Sequence, residues 1–165
     1  MNSTKKIITS AMLAALTFVA TIVIKIPSPV GGYLNLGDAI VLLSGAMLPP
    51  LYAFLAAGIG SALADAAFGY FLYVPATFLV KGLMAYLIAS ISKPSVSRPP
   101  FPKFIGGIVA EIIMVSCYYI FEGFLYGFGP SMINIFPNAI QGTVGFIIGM
   151  ILIKILGKYT DLRHR

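Results

Sequence analysis

The sequence predicts an all-α integral membrane protein: one domain over residues 1–165, built as a compact bundle of six transmembrane helices with both termini cytoplasmic. Three observations predict it. The 165-residue chain is 59% hydrophobic and only 10% charged, with a mean hydropathy of +0.96, far outside the balance of a soluble domain. Its apolar residues gather into runs near the length needed to span a hydrocarbon core, roughly 20 residues for about 30 Å. Its bases cluster in the gaps that an even number of spans places on one side.

The first run, Ile7 to Ile24, follows Lys5 and Lys6. It is as long as a span, and no A-x-A-like cleavage site follows it, so it reads as a span and not as a signal peptide. Lys25 and "IPSPVGGY" then form a Pro/Gly loop, since proline cannot continue a helix. The second run, Leu36 to Leu48, is the shortest at 13 residues, roughly 20 Å as a helix. Leu51 to Phe68 follows Pro49 and Pro50, a pair that suits a helix start.

The fourth run, Val74 to Ile91, carries Pro75 in its first turn and is interrupted only by Lys81. "SKPSVSRPPFPK" reads as a water-exposed linker with three bases and no acid. The fifth run, Phe104 to Phe121, contains Glu111; "EGFLYGFGPS" reads as a Gly-rich aromatic loop, and Met132 to Leu156 is the sixth run. Lys5, Lys6, Lys93, Arg98, Lys103, Lys158, Arg163 and Arg165 then share one side, which the positive-inside rule makes cytoplasmic.

Several function classes drop out. The net charge of +6 reports topology and not nucleic-acid binding, because the bases lie between spans. A single cysteine, Cys117, and a single histidine, His164, build neither a disulfide framework nor a His/Cys metal site. There is no G-x-x-x-x-G-K-[ST] phosphate loop, no H-E-x-x-H and no paired Ser/His arrangement. No enzyme activity, cofactor or metal is expected, and any ATP hydrolysis must come from a partner.

Polar groups inside the apolar runs carry the rest. Lys81 lies eight residues past Tyr73, roughly 12 Å along a helix. An intramembrane charge costs at least about 2.5–3.5 kcal/mol, so Lys81 should face the bundle interior and have a partner. Glu111 reaches a similar depth from the opposite side, which suggests that the two pair, either as a brace between spans or within a site. Glu111, Tyr118 and Glu122 recur at i, i+7 and i+11, and Asn134, Asn138 and Gln141 at i, i+4 and i+7, each a single helical stripe; Thr77 sits one turn before Lys81. For each of these residues interhelical hydrogen bonding is the competing reading. Together they describe a pocket open to the outside. Amides, hydroxyls and charges flanked by Tyr and Phe suit a small, flat, polar heterocycle.

Asp38 falls in the first turn of the second run, where a carboxylate meets free N–H groups and the positive end of the helix dipole. Asn35 or Asp38 either caps that end or latches the first loop over the pocket, and Asp65 has the same two readings. Small residues make the other constellation. Ala11 and Ala15, four apart in "SAMLAAL", form a surface that another helix can approach closely, as do Gly145 with Gly149 and Gly58 with Ala62.

The run "YLNLGDAIVLLSGAMLPP … GIGSALADAAFGYFLYVPATFLVKGLM", with "AMLAA" in the first span and a basic cytoplasmic side, resembles the S components of energy-coupling-factor (ECF) vitamin transporters. The likeness is greatest to the branch that groups riboflavin, hydroxymethylpyrimidine and vitamin B6 types. The resemblance implies a bacterial-type cell membrane protein that captures a vitamin or precursor and docks on one ECF transmembrane subunit and two ATPase subunits. It maps partner docking onto Ala11 and Ala15. It implies a ligand site in the outer halves of helices four to six plus loop one, where Asn35, Asp38, Thr77, Lys81, Glu111, Tyr118, Glu122, Asn134, Asn138 and Gln141 lie. A hydroxymethylpyrimidine or pyridoxine-like ligand is favoured, riboflavin next. With no tryptophan, any stacking platform must be Tyr or Phe, such as Tyr33, Tyr73, Tyr118 or Tyr126. The rival reading is a self-sufficient carrier or channel with Lys81 and Glu111 as a relay, associating through Gly145 and Gly149.

Overall fold

The computed structural model describes residues 3–92 and 100–163. Lys93 and Arg98 of the linker, and His164 and Arg165, lie outside the described residues, as do the side chains of Lys158 and Arg163. The described residues are almost entirely helical. Helices α1 (Ser3–Val23), α2 (Gly37–Met47), α3 (Pro50–Ala67), α4 (Val74–Ser92) and α5 (Pro100–Tyr126) are followed by the one-turn α6 (Phe128–Ser131), a 3-10 turn (Met132–Asn134) and α7 (Ile135–Arg163). Five of these segments are long and apolar enough to cross a membrane; α2, at 11 residues, is the short one.

Proline and glycine set most of the boundaries. Pro50 begins α3, where its missing N–H has no helical acceptor to lose. Between α1 and α2, loop one forms a minimal antiparallel pairing of β1 (Ile26–Pro27) with β2 (Tyr33–Leu34), with Gly32 at φ 74 in the turn. Two boundaries differ from the expectation. The "EGFLYGFGPS" stretch is not a loop: α5 runs on to Tyr126 and only Gly127, at φ 91, breaks it. The Phe128 ring packs against Tyr119 and Phe124 and folds α6 back on α5. The linker is also shorter than expected, because α5 begins at Pro100 and takes in Lys103. That lysine is 1% exposed, not a solvated base.

The short α2 sits at the centre of the bundle, with nine of its residues buried. Small residues let its neighbours close on it and on each other. A Cβ at Gly45 would lie 2.7 Å from the Ala85 carbonyl oxygen, and one at Gly60 would lie 2.4 Å from that of Ala14. Gly145 and Gly149 are used in the same way: a Cβ at Gly145 would stand 2.6 Å from Asp38 Cβ, and one at Gly149 would stand 3.0 Å from Leu42 Cδ1. That face therefore seats α2 and is not a free surface for self-association. Because Gly145 is ten residues into α7, α2 begins roughly 15 Å further down the bundle than α7. Loop one fills the space above it.

Candidate functional site

Loop one is irregular backbone held among apolar helices, which is tolerated only where protein groups satisfy its N–H and C=O groups. Amides of α7 and the turn before it do so in sequence. Asn134 Oδ1 accepts from the Ser28 hydroxyl at 2.7 Å and the Val30 N–H at 3.3 Å; its Nδ2 donates to the Gly31 carbonyl at 3.2 Å and to Glu122 Oε2 at 2.9 Å. Two turns on, Gln141 Oε1 accepts from Asn35 N–H at 3.0 Å and from Asn35 Nδ2 at 3.3 Å. Asn35 Oδ1 in turn accepts the Gly37 N–H at 2.8 Å, at the head of α2.

Asp38 turns inward instead of capping its helix. It accepts from Lys81 Nζ and, through Oδ2, from Gln141 Nε2 at 2.7 Å. Lys81 thus has a buried partner, but that partner is not Glu111. The low start of α2 brings its first turn beside the second turn of α4, and the Asp38 carboxylate fills the place expected for Glu111. Both Glu111 carboxyl oxygens are buried and accept no hydrogen bond. The side chain opens on a lateral groove between α5 and α7, lined by Ile108, Ser116, Gly142 and Thr143 among others. Among the described residues, Lys81 and Glu111 share no ion pair that a relay would need.

Beneath loop one lies a polar cavity bounded by loop one, α1 through Thr21, α3, α4, α5 and α7. Of the predicted residues, Asn35, Thr77, Lys81, Tyr118, Glu122, Asn138 and Gln141 line it; Asp38, Glu111 and Asn134 do not. Asp38 anchors Lys81 from behind, and Asn134 braces loop one against α5. Thr77 and Tyr118 share a hydroxyl hydrogen bond of 2.9 Å, and Lys81 Nζ stands 5.5 Å from the Tyr118 ring centre. Tyr73 donates to Glu122 Oε1 at 3.2 Å.

From α3, Ser61 was missed as a wall residue, and Asp65 was expected only as a cap or a latch for loop one. Ser61 and Asp65, four residues apart on one face, both line the cavity. Tyr33 of loop one donates its hydroxyl to Asp65 Oδ1 at 2.7 Å. Burial and the adjacent Asp65 carboxylate hold that hydroxyl above its ordinary pKa; burial, then Tyr126 and Glu122, do the same for Tyr73. The Tyr33 ring also packs on Phe68 and Tyr70. Lys25, at the start of loop one, sits 4.0 Å over the Phe68 ring and 4.8 Å over that of Tyr70. With loop one in this position the cavity measures about 30 Å³, room for a water-sized molecule.

On the opposite side of α3, a broad apolar groove runs between α1 and α3. It measures about 860 Å³, and Ala11, Ala14 and Ala15 lie along it with Leu55, Ile59 and Leu63.

The description "ECF-type riboflavin transporter, S component" fits residues 1–158 as a family match. An uncharacterised protein of Pyrococcus woesei is 35% identical over 134 residues, covering 79% of this chain and 87% of that protein. The thiamine precursor transporter HmpT of Lactococcus lactis is 26% identical over 150 residues, covering 90% of this chain and 85% of that one. A solved S component of a bacterial ECF transporter superposes with a TM-score of 0.73 at 25% identity, covering 96% of this chain and 99% of that one. The chain belongs to the ECF-type riboflavin transporter S component family, whose members are transport subunits and not enzymes.

Proposed function

We propose that this protein captures a vitamin or vitamin precursor on the outer side of a bacterial-type cell membrane, with both termini cytoplasmic, and delivers it for ATP-driven import. The energy is supplied by an ECF transmembrane subunit and two ATPase subunits. The cavity under loop one carries the reading: hydroxyl, amide, carboxylate and ammonium groups from five helices converge on it, as a site for a polar heterocycle requires. Asn35, Thr77, Lys81, Tyr118, Glu122, Asn138 and Gln141 are the proposed ligand-facing residues. Asp38 and Asn134 hold them and loop one in place.

A one-ring hydroxymethylpyrimidine or pyridoxine-like ligand is favoured, with riboflavin next. The similarity to a thiamine precursor transporter supports the smaller ligand. So does the 30 Å³ cavity, because a single ring needs less displacement of loop one than a three-ring flavin. Ala11 and Ala15 are the proposed docking point for the transmembrane subunit. Both are exposed on the α1/α3 groove, where a small-residue face lets helices approach closely.

Reconstitution tests this directly. The isolated protein should bind its vitamin without ATP, and liposomes should accumulate the vitamin only when the ECF subunits and internal ATP are present. Ala11→Leu with Ala15→Leu should abolish uptake and spare binding. Uptake by the isolated protein alone would overturn the proposal.

A further inference from the structure

We propose that Asp65, with Ser61 one turn before it on α3, recognises the nitrogen edge of the ligand. The ligand is then a heterocycle with an amino group next to a ring nitrogen, an amidine-type edge, and not an oxo- or phosphate-bearing one. This rests on the capture function proposed above and narrows it.

Asp65 is 5% exposed and Ser61 is 2% exposed, and both line the cavity. Asp65 Oδ2 and Ser61 Oγ are buried without a hydrogen-bond partner; the only other such atoms among the described residues belong to Glu111, outside the cavity. A buried carboxylate oxygen left unpaired is costly, and native structures retain few such groups. The Thr77 hydroxyl shares a 2.9 Å hydrogen bond with Tyr118 and also lies near the Asp65 carboxylate, beyond hydrogen-bond range of Oδ2. Asp65 Oδ2, which as a carboxylate oxygen only accepts, therefore calls for an N–H or O–H donor from whatever enters, and the Ser61 hydroxyl beside it can accept a second bond or donate one.

Charge points the same way. The cavity cation, Lys81, is already matched by Asp38, and Lys25 rests on the Phe68 and Tyr70 rings. Asp65 and Glu122 are the cavity's remaining carboxylates, and among the described residues neither forms an ion pair. A phosphate would meet like charge there, and an oxo edge would set its acceptor against the Asp65 carboxylate. An amidine edge instead offers two parallel N–H donors once its ring nitrogen carries a proton, the bidentate match that a carboxylate accepts best. Both Asp65 oxygens become available when Tyr33 lifts away with loop one, since its hydroxyl holds Oδ1 at 2.7 Å. Entry of the ligand and release of loop one are then one exchange of donors on the same carboxylate.

Titration calorimetry on the purified full-length protein tests this with four probes: amino-hydroxymethylpyrimidine, its analogue with a carbonyl in place of the amino group, pyridoxine and riboflavin. The wild type should prefer the amino compound. Asp65→Asn should weaken that binding roughly 10- to 100-fold, the loss expected for hydrogen bonds to a charged group, and should shift preference toward the carbonyl analogue, because an amide can donate to it. Ser61→Ala should weaken binding less. A merely structural Asp65 would not exchange one preference for the other. Wild-type preference for riboflavin, pyridoxine or the carbonyl analogue overturns the Asp65 assignment and leaves vitamin capture standing. So does a folded Asp65→Asn variant that binds the amino compound as the wild type does. Absence of binding to all four, together with no ECF-dependent uptake, overturns the capture function itself.

Discussion

Removing the Lys81 ammonium should destabilise the bundle more than any change at its lipid-facing surface. Lys81→Met leaves the Asp38 carboxylate, 0% exposed, with Gln141 Nε2 at 2.7 Å as its remaining side-chain donor. Stripping one partner from a buried ion pair costs about 3–5 kcal/mol, because the other charge stays buried and uncompensated. The positive end of α2, in whose first turn Asp38 sits, offsets part of this. For a chain of this size each kcal/mol moves the unfolding midpoint by roughly 2–4 °C, so a fall of roughly 6–20 °C is expected. Asp38→Asn, which strands the ammonium instead, should cost a similar amount. The double variant carries neither charge and should cost clearly less than the two single losses together. Thermal unfolding of the detergent-purified protein, followed by helical circular dichroism, measures all four corners of the cycle. A Lys81→Met loss within about 0.5 kcal/mol of zero, or single losses that simply add, would refute the coupling.

Two further outcomes follow from the packing and the loop chemistry. The Tyr33 and Tyr73 hydroxyls lie above their ordinary pKa of 10.0, so they stay protonated in the fold while an unfolded chain ionises near pH 10. Their contribution to stability is complete below about pH 10 and is lost as pH rises beyond it. Alkaline titration by tyrosinate absorbance should show that Tyr33→Phe deletes a late-ionising tyrosine; deletion of one titrating near pH 10 would contradict this. Gly60→Ala places a Cβ 2.4 Å from the Ala14 carbonyl oxygen, backbone that cannot rotate away. It should cost about 1–3 kcal/mol by thermal unfolding, as overpacking does, and an unchanged midpoint would show that α1 rides loosely on α3.

The polar stripes of α5 and α7 were legible because the membrane makes hydrophilic groups expensive: Tyr118, Glu122, Asn134 and Gln141 had to turn inward, and they do. Their division of labour was not. Whether Asn134 faces a ligand or a loop depends on where loop one descends, and that follows from how low α2 begins, which hydropathy does not encode. The same unseen offset exchanged Asp38 for Glu111 as the partner of Lys81. Lys103 read as a linker base because it follows two others, but the residues around it form a helix that buries it. Ser61 and Asp65 did carry a signal, a polar pair at helical spacing in an otherwise small and apolar α3.

The low start of α2 gives the molecule unequal ends. A slice through the lower half cuts six helices in close register, several touching through glycine. A slice near the head of α7 cuts five and a folded strip of chain that hangs on side-chain amides. Thermal breathing should therefore gather at that upper rim, since a ladder of helical bonds opens only cooperatively while isolated contacts open one by one. The protein would behave as a rigid cup with a yielding brim, and it needs no separate hinge to be soft where it is soft.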